Sequence, residues 1–429
     1  MPRRDIRLAA IAVAAMAALP LGPDAADASG FQLREQSADG MGNAMAGSTA
    51  KAYDLSTLFY NPAGMARLNG SQAGLGAAWV APYSRFEGTN TVGGVAVAGS
   101  DGGNHPQPVA VGSAYAMWDA APDWRLGLAV TSPFGMRSSY DDGWVGRYHA
   151  LDTTLTTVNA SPSVSYRVDD ALSVAVGLQI GYLDAQQTNA INFGALVPGA
   201  GDGLFRVSGT DLALGWTTSL LYQFTPSTRM GLSYRSSIRH AIHGKAEFRS
   251  VPGALAGNAA FADSGVDVVV PLPDTLSLGL YHEISPQWAV MSDVAWTRWS
   301  AFRTLRLQFD SGRPDAVEPE NWHDTGFLSV GVTYRPSDQL GLHLGTAFDR
   351  AAVGDRFRNA RLPDSNRYWL SSGLSYAPSP THQFSLSYTH VFADTAAIDR
   401  TDPDQIGGRL SGRYDNHVDI VSANYTVRF

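Results

Sequence analysis

The chain has 429 residues and no cysteine, which excludes a disulfide framework and thiolate metal sites. Long apolar runs are also missing. The stretch from Leu8 to Leu21 is mostly alanine and too short to cross a bilayer as a helix. Mean hydropathy is −0.11, a value that a bundle of membrane helices could not show. There is no basic excess: 31 Lys and Arg stand against 39 Asp and Glu, which argues against a nucleic-acid partner. No phosphate-binding loop, G-x-S-x-G or H-E-x-x-H occurs, so no cofactor and no catalytic residue are expected.

What is present starts with an address label. Arg3, Arg4 and Arg7 precede the short apolar core, and Ala26-Asp27-Ala28 forms a small-residue cleavage site. Residues 1–28 therefore read as a secretory signal peptide, with a mature chain from Ser29. At the other end Val421, Ala423, Tyr425, Val427 and Phe429 alternate with Ser422, Asn424, Thr426 and Arg428. Period two is the strand signature, and an aromatic-ended last strand is characteristic of bacterial outer-membrane barrels. A barrel needs only alternate residues to be apolar, which reconciles a membrane location with the low hydropathy.

Short turn signals recur between alternating segments: Ala120-Ala121-Pro122-Asp123, Asp169-Asp170, Thr225-Pro226-Ser227, Ser285-Pro286-Gln287, Pro336-Ser337-Asp338 and Pro378-Ser379-Pro380. Longer polar stretches lie near 84–107, 134–150, 188–209, 245–266, 310–322, 352–364 and 394–413. Short periplasmic turns and long outer loops are the asymmetry of outer-membrane barrels. The expected fold is all-β: a 14-stranded antiparallel transmembrane barrel over 70–429. Trp79, Tyr83, Trp118, Trp124, Trp288, Trp296 and Trp299 are expected in interfacial girdles. Residues 29–69 are rich in Ala and Gly yet carry Leu55, Leu58, Phe59, Tyr60, Met65 and Leu68, too apolar for a disordered tail. They are expected to plug the lumen.

Several motifs in order resemble one family. They are Ser29-Gly30-Phe31-Gln32-Leu33, Asn61-Pro62-Ala63-Gly64, Tyr234-Arg235-Ser236, Leu272-Pro273-Asp274, Pro286-Gln287-Trp288-Ala289 and Trp299-Ser300-Ala301-Phe302. Leu362-Pro363-Asp364 followed by Arg367-Tyr368-Trp369-Leu370-Ser371 completes the set. With the plug-then-barrel order, the mature chain is similar to the FadL family of outer-membrane transporters for long-chain fatty acids and other hydrophobic compounds. The resemblance implies passive uptake without an enzyme activity. It also implies that Phe31 lines an internal pocket, and that the third strand kinks inward to leave a lateral gap.

Thr131-Ser132-Pro133-Phe134-Gly135 fits such a kink, because proline removes a ladder bond and glycine relaxes φ. The rival reading is that Pro133 only starts the second outer loop. The expected gating set is Gly30, Asn61, Pro62, Ala63, Ser132, Pro133, Phe134 and Gly135. For cargo, Ile191, Phe193, Leu196 and Phe261 are expected on collecting loops. Arg306, alternating with Leu305, Leu307 and Phe309 taken as outward, is expected to face a carboxylate in the lumen, as is Arg235; a lumenal salt bridge with the plug is the rival reading for both. No second basic residue occurs at 186–190, which leaves the cargo's charge open. His240 and His243 fall on opposite strand faces and cannot share a metal. The expected partners are a hydrophobic small molecule, outer-membrane lipids and lipopolysaccharide, with the chain acting as a monomer. A lipase-type barrel, for which His390 faces outward, and a general porin are the alternatives.

Overall fold

A computed structural model describes residues 30–401 and 406–429; the signal segment 1–28 lies outside them. Antiparallel strands form one closed wall. In chain order they are β1 (Gln72–Val92), β2 (Val109–Ala121), β3 (Trp124–Thr131, resuming at Gly135–Ser139), β4 (Asp152–Arg167), β5 (Leu172–Ile191), β6 (Gly203–Thr225) and β7 (Thr228–Arg235, then Ile238–Arg249). They continue as β8 (Ser264–Leu272, then Thr275–Glu283), β9 (Trp288–Thr297, then Thr304–Phe309), β10 (Ala316–Pro319, then Thr325–Tyr334), β11 (Leu340–Asp349), β12 (Arg367–Ser379), β13 (His382–Ala393) and β14 (Arg409–Arg428). The circle closes where β1 pairs with β14, from Gln72 opposite Arg428 to Thr91 opposite Arg409. Closure leaves no edge unpaired in lipid, the condition for a sheet to span a membrane.

The turns fall as read, with one shift. Pro378 and Ser379 belong to β12 and the reversal comes after them, because a register slip between Tyr376 and Ser379 absorbs the proline. Most strands run further into the expected loops than composition suggested.

Outward residues are large and apolar, such as Leu75, Leu212, Leu214, Trp216, Leu370 and Leu386. Their inward neighbours are small and polar, among them Ser165, Ser219, Ser233, Ser329 and Ser371. Small inward residues leave room for the chain's own leading segment, which occupies the lumen. That segment contains α1 (Ala38–Gly42), α2 (Thr57–Tyr60) and a 3-10 turn over Pro62–Arg67. Ser37 caps α1 through Oγ, which accepts from Gly40 N at 3.2 Å.

Such short, irregular backbone inside a barrel needs partners for its polar groups, and inward side chains supply them. Asn43 Nδ2 donates to Val332 O at 2.9 Å and Leu344 O at 3.3 Å. Arg229 Nε donates to Ala50 O at 2.8 Å, and Asp293 Oδ1 accepts from Thr49 N at 3.1 Å. Gly231 and Gly345 face inward where a Cβ would strike the carbonyls of Thr49 and Asn43, so glycine is what admits the segment.

Most expected girdle residues are outward: Trp79, Tyr83, Trp118, Trp124, Trp288 and Trp296 are exposed. Trp299 is not. It sits on a 3-10 turn that interrupts β9 and is fully buried in the interior.

Candidate functional site

The wall is broken where proline and glycine interrupt β3. Pairing with β2 ends at Ala114–Val130, and pairing with β4 jumps from Thr131–Asn159 to Gly135–Thr156. One extra residue on β3 is thus left out of the ladder, a bulge. The upper part of β2, Val109 to Ser113, pairs with β1 but not with β3. Thr157 on β4 patches the break from one side: its hydroxyl accepts from Phe134 N at 3.1 Å and donates to Phe134 O at 2.6 Å.

The other side is covered by the leading segment. Gln32 bridges Phe134 in antiparallel fashion, Leu33 N donates to Pro133 O at 2.9 Å, and Gly135 N donates to Phe31 O at 3.0 Å. Gln36 Nε2 adds a bond to Ser132 O at 2.9 Å. Residues 31–33 therefore stand in for the missing strand contact.

That ribbon is held at its start by an outer loop. Gly30 has φ of 61°, and a Cβ there would press on Trp322 and Trp299. Gly30 N donates to Asp364 Oδ2 at 3.1 Å, while Arg367 Nη2 donates both to Gly30 O and to Asp364 Oδ1, each at 3.1 Å. Burial pushes the Asp364 carboxyl up to about 7, against the pull of Arg367. Phe31 sits in an aromatic nest, with ring centroids 4.9 Å from Trp299, 5.6 Å from Trp322 and 6.1 Å from Phe134.

Phe31 lines two cavities, and a third lies beyond them among the loops. The inner one, ≈ 880 Å³, is lined mainly by apolar groups such as Met136, Leu155, Ile242, Val268, Leu305 and Leu307. A second, ≈ 1070 Å³, reaches the broken wall through Val109, Gly135, Met136 and Pro106. An outer one, ≈ 960 Å³, lies among the loops and includes Ile191, Phe205, Phe248 and Phe261. Phe31, Met136 and Leu362 stand between the inner and wall-side cavities, and Glu318 and Asn359 between the inner and outer ones. Arg361 borders all three. The apolar lining of the inner cavity suits a hydrophobic ligand.

The expected residues are distributed unevenly over this geometry. Gly30, Phe31, Ser132, Pro133, Phe134 and Gly135 converge at the break. Ile191 and Phe261 line the outer cavity, and Phe193 is buried against Phe261 at 5.1 Å. Leu196 is 45% exposed and lines no cavity described here.

Arg306 requires a correction. It points outward, 57% exposed, and pairs with Asp315 at 3.5 Å, while Leu305 and Leu307 line the inner cavity. The alternation along β9 was read with the wrong face inward. Beyond the lipid a strand's outer face meets water, so there the polar side is outside and the apolar side faces the cavity. In β7 and β8 the same inversion coincides with breaks at 236–237 and 273–274. Leu276 is outward below, whereas Val270, Leu272, Ile238 and Ile242 are inward above.

Arg235 does face the lumen, but the leading segment claims it. Its Nη2 donates to Phe59 O at 2.6 Å, its guanidinium lies 3.9 Å from the Phe59 ring centroid, and it lines none of the three cavities. Asn61, Pro62 and Ala63 are likewise away from the break. Asn61 Nδ2 donates to Thr49 O at 2.7 Å and Leu220 O at 3.0 Å, and Ala63 N donates to Ser219 Oγ at 3.1 Å. His240 and His243 do take opposite faces, the first buried beside Asp211 and the second exposed beside Asp267.

Sequence reasoning missed Glu318, Glu320 and Arg361, the charged groups of the inner cavity. Arg361 directly precedes the Leu-Pro-Asp motif, so the signal was one residue away. Arg361 Nη1 donates to Thr153 Oγ1 at 3.2 Å and Thr188 O at 3.0 Å, and Nη2 to Asn189 Oδ1 at 3.3 Å. Glu320 is buried and accepts from Trp322 Nε1 and Asn359 Nδ2, each at 3.2 Å.

A closed barrel stoppered by its own leading segment, with greasy cavities and a breached wall, defines an outer-membrane transport protein. The chain belongs to the family described as outer membrane protein transport protein (OMPP1/FadL/TodX), whose profile matches residues 21–429. The long-chain fatty acid transport protein of Salmonella typhi is 27% identical, covering 81% of this chain and 84% of its own. Outer membrane protein P1 of Haemophilus influenzae is 26% identical over 87% of this chain and 88% of its own. The crystal structure of a Pseudomonas aeruginosa FadL homologue superposes with a TM-score of 0.88 at 24% identity, covering 94% of this chain and all (100%) of that one. The protein is accordingly placed in the bacterial outer membrane.

Proposed function

We propose that the protein passively takes up hydrophobic small molecules, long-chain fatty acids or hydrocarbons, and delivers them sideways into the membrane. The observation that carries this reading is the breach at Ser132–Phe134, which Thr157 patches from β4 and which residues 31–33, with Gln36, cover from inside the barrel. A solute collected in the loop cavity passes Glu318 and Asn359 into the inner cavity and waits behind Phe31. When the ribbon leaves the β3 edge, Phe31 leaves with it, and the inner and wall-side cavities become one path to the lipid.

The direction is set by solvation. Releasing an alkyl chain into the periplasm would cost about 0.8 kcal/mol per methylene exposed to water, a cost that lateral release avoids. The relative of Salmonella typhi is named for long-chain fatty acid transport, which supports the cargo class. The stoppered lumen counts against a general porin. Replacing Pro133, Phe134 and Gly135 with strand formers is the test: uptake of a radiolabelled fatty acid by intact cells should fall to background while the barrel still folds. Unchanged uptake would refute the lateral route.

A further inference from the structure

Resting on the uptake reading, one feature of the inner cavity sets what charge the cargo can carry. Three charged side chains enter a mainly apolar lining that also holds Gln186, Gln187 and Asn359: Glu318, Glu320 and Arg361. Glu318 is balanced, because its Oε2 lies 3.9 Å from Arg400 Nη2. Arg361 is not balanced in the same way. It is buried, its hydrogen bonds go to neutral acceptors on Thr153, Thr188 and Asn189, and no carboxylate pairs with it among the described residues. Glu320 is its counterpart. Both carboxyl oxygens receive Asn359 Nδ2 and one also receives Trp322 Nε1, all neutral donors, and no ion pair to it is seen among the described residues. A buried acid and a buried guanidinium thus share one cavity without direct contact, each hydrogen-bonded to neutral groups, while the charges of Glu318 and Glu320 favour the Arg361 cation from a distance.

We propose that Glu320 is the specificity-determining residue of this cavity: a carboxylate-bearing amphiphile binds opposite Arg361 only with Glu320 neutral, taking up one proton, whereas the alcohol of the same chain binds without one. With Glu320 ionised, an incoming anion would be a second negative charge in a water-poor space, where like charges are hard to hold. With Glu320 protonated, the anion meets Arg361 alone. The groups facing Glu320 bear this out. Burial first, then the charge of Glu318, push its carboxyl up to about 8, with Arg400 pulling the other way. His149, near Arg361 and Arg400 in the outer cavity, is held down to about 4 by burial and stays neutral near pH 7, adding no compensating charge.

The test is calorimetric titration of the mature protein, held in amphipol, with decanoate and with decanol, in two buffers of different ionisation enthalpy. For wild type, decanoate should bind with proton uptake that rises from near zero at about pH 6.5 towards one at about pH 9.5, and its affinity should fall about tenfold per pH unit at the upper end. Decanol should bind with no proton at any pH. Glu320→Gln should abolish the uptake and flatten the decanoate profile, and Arg361→Met should weaken decanoate at least about tenfold while sparing decanol. Proton uptake that is flat with pH in wild type, or unchanged in E320Q, overturns the proposal while leaving the uptake reading intact. Binding of neither ligand overturns both.

Discussion

The leading segment behaves as two regions inside one lumen, and the contrast between them is instructive. Its body, residues 37–68, is bonded to many strands at once. Asn43 reaches β10 and β11, Asn61 reaches β6, Ala50 takes Arg229 from β7, and Thr49 takes Asp293 from β9. The ribbon, residues 30–35, meets the interrupted β3 edge, the Asp364–Arg367 clamp and the nest around Phe31, with Gln32 at Thr275 and Thr297 and Arg34 over the Phe327 ring. Shifting the body would break bonds to several strands together, whereas the ribbon's main-chain bonds go chiefly to the interrupted edge of β3 and to Asp364 and Arg367. Anchoring, more than burial, separates the body of the stopper from the part proposed to move.

The largest expected effect attacks the body. Asn61→Ala strands Thr49 O and Leu220 O in the interior and removes the cap on Ala63 N. A loss of about 2–4 kcal/mol follows from unsatisfied buried groups and a lost cap, visible as a lower thermal midpoint and a leak of small hydrophilic dyes. Phe31→Ala comes next. Emptying the aromatic nest costs the seated ribbon about 3 kcal/mol, so hydrogen exchange at Leu33 N and Gly135 N should accelerate while amides of α1 stay protected.

A subtler lever is pH. The Asp364 carboxyl is raised to about 7 when buried at Gly30, above the ordinary ~4 it regains when the ribbon leaves and water reaches it. The seated state therefore binds the proton more tightly. Its added stability is full below about pH 4 and is lost as pH rises through about 7. Exchange at Leu33 N, corrected for intrinsic chemistry, should show protection falling over that window; protection that rises instead would reverse the assignment. Smallest of all is Arg306→Gln. As an exposed outward residue it should change stability by less than about 0.5 kcal/mol and leave fatty-acid uptake unaltered in the same cells.

Much of the architecture was readable from residue order. Period two, the proline turns and the Gly-rich loops are local, so they announce strands and reversals without reference to the rest of the chain. Thr131 to Gly135 allowed either a break in the wall or the start of a loop, since a proline cannot donate wherever it lies, and the resemblance to the family favoured the break. Arg306 was misread because alternation says which residues share a face but not which face is inside. That depends on whether lipid or water lies beyond the strand at that height. Trp299 failed likewise, its aromatic character being the same at an interface and in an aromatic nest.

The order of residues alone determined a closed, lipid-embedded sheet and offered a flaw in its third strand as one of two readings, because backbone hydrogen bonding and side-chain alternation are properties of neighbouring residues. Only the tertiary structure decided that residues 31–33 cover that flaw and that Arg361 and Glu320 meet the cavity behind it. Those juxtapositions join segments far apart along the chain, and they exist only once the barrel has closed around its own beginning.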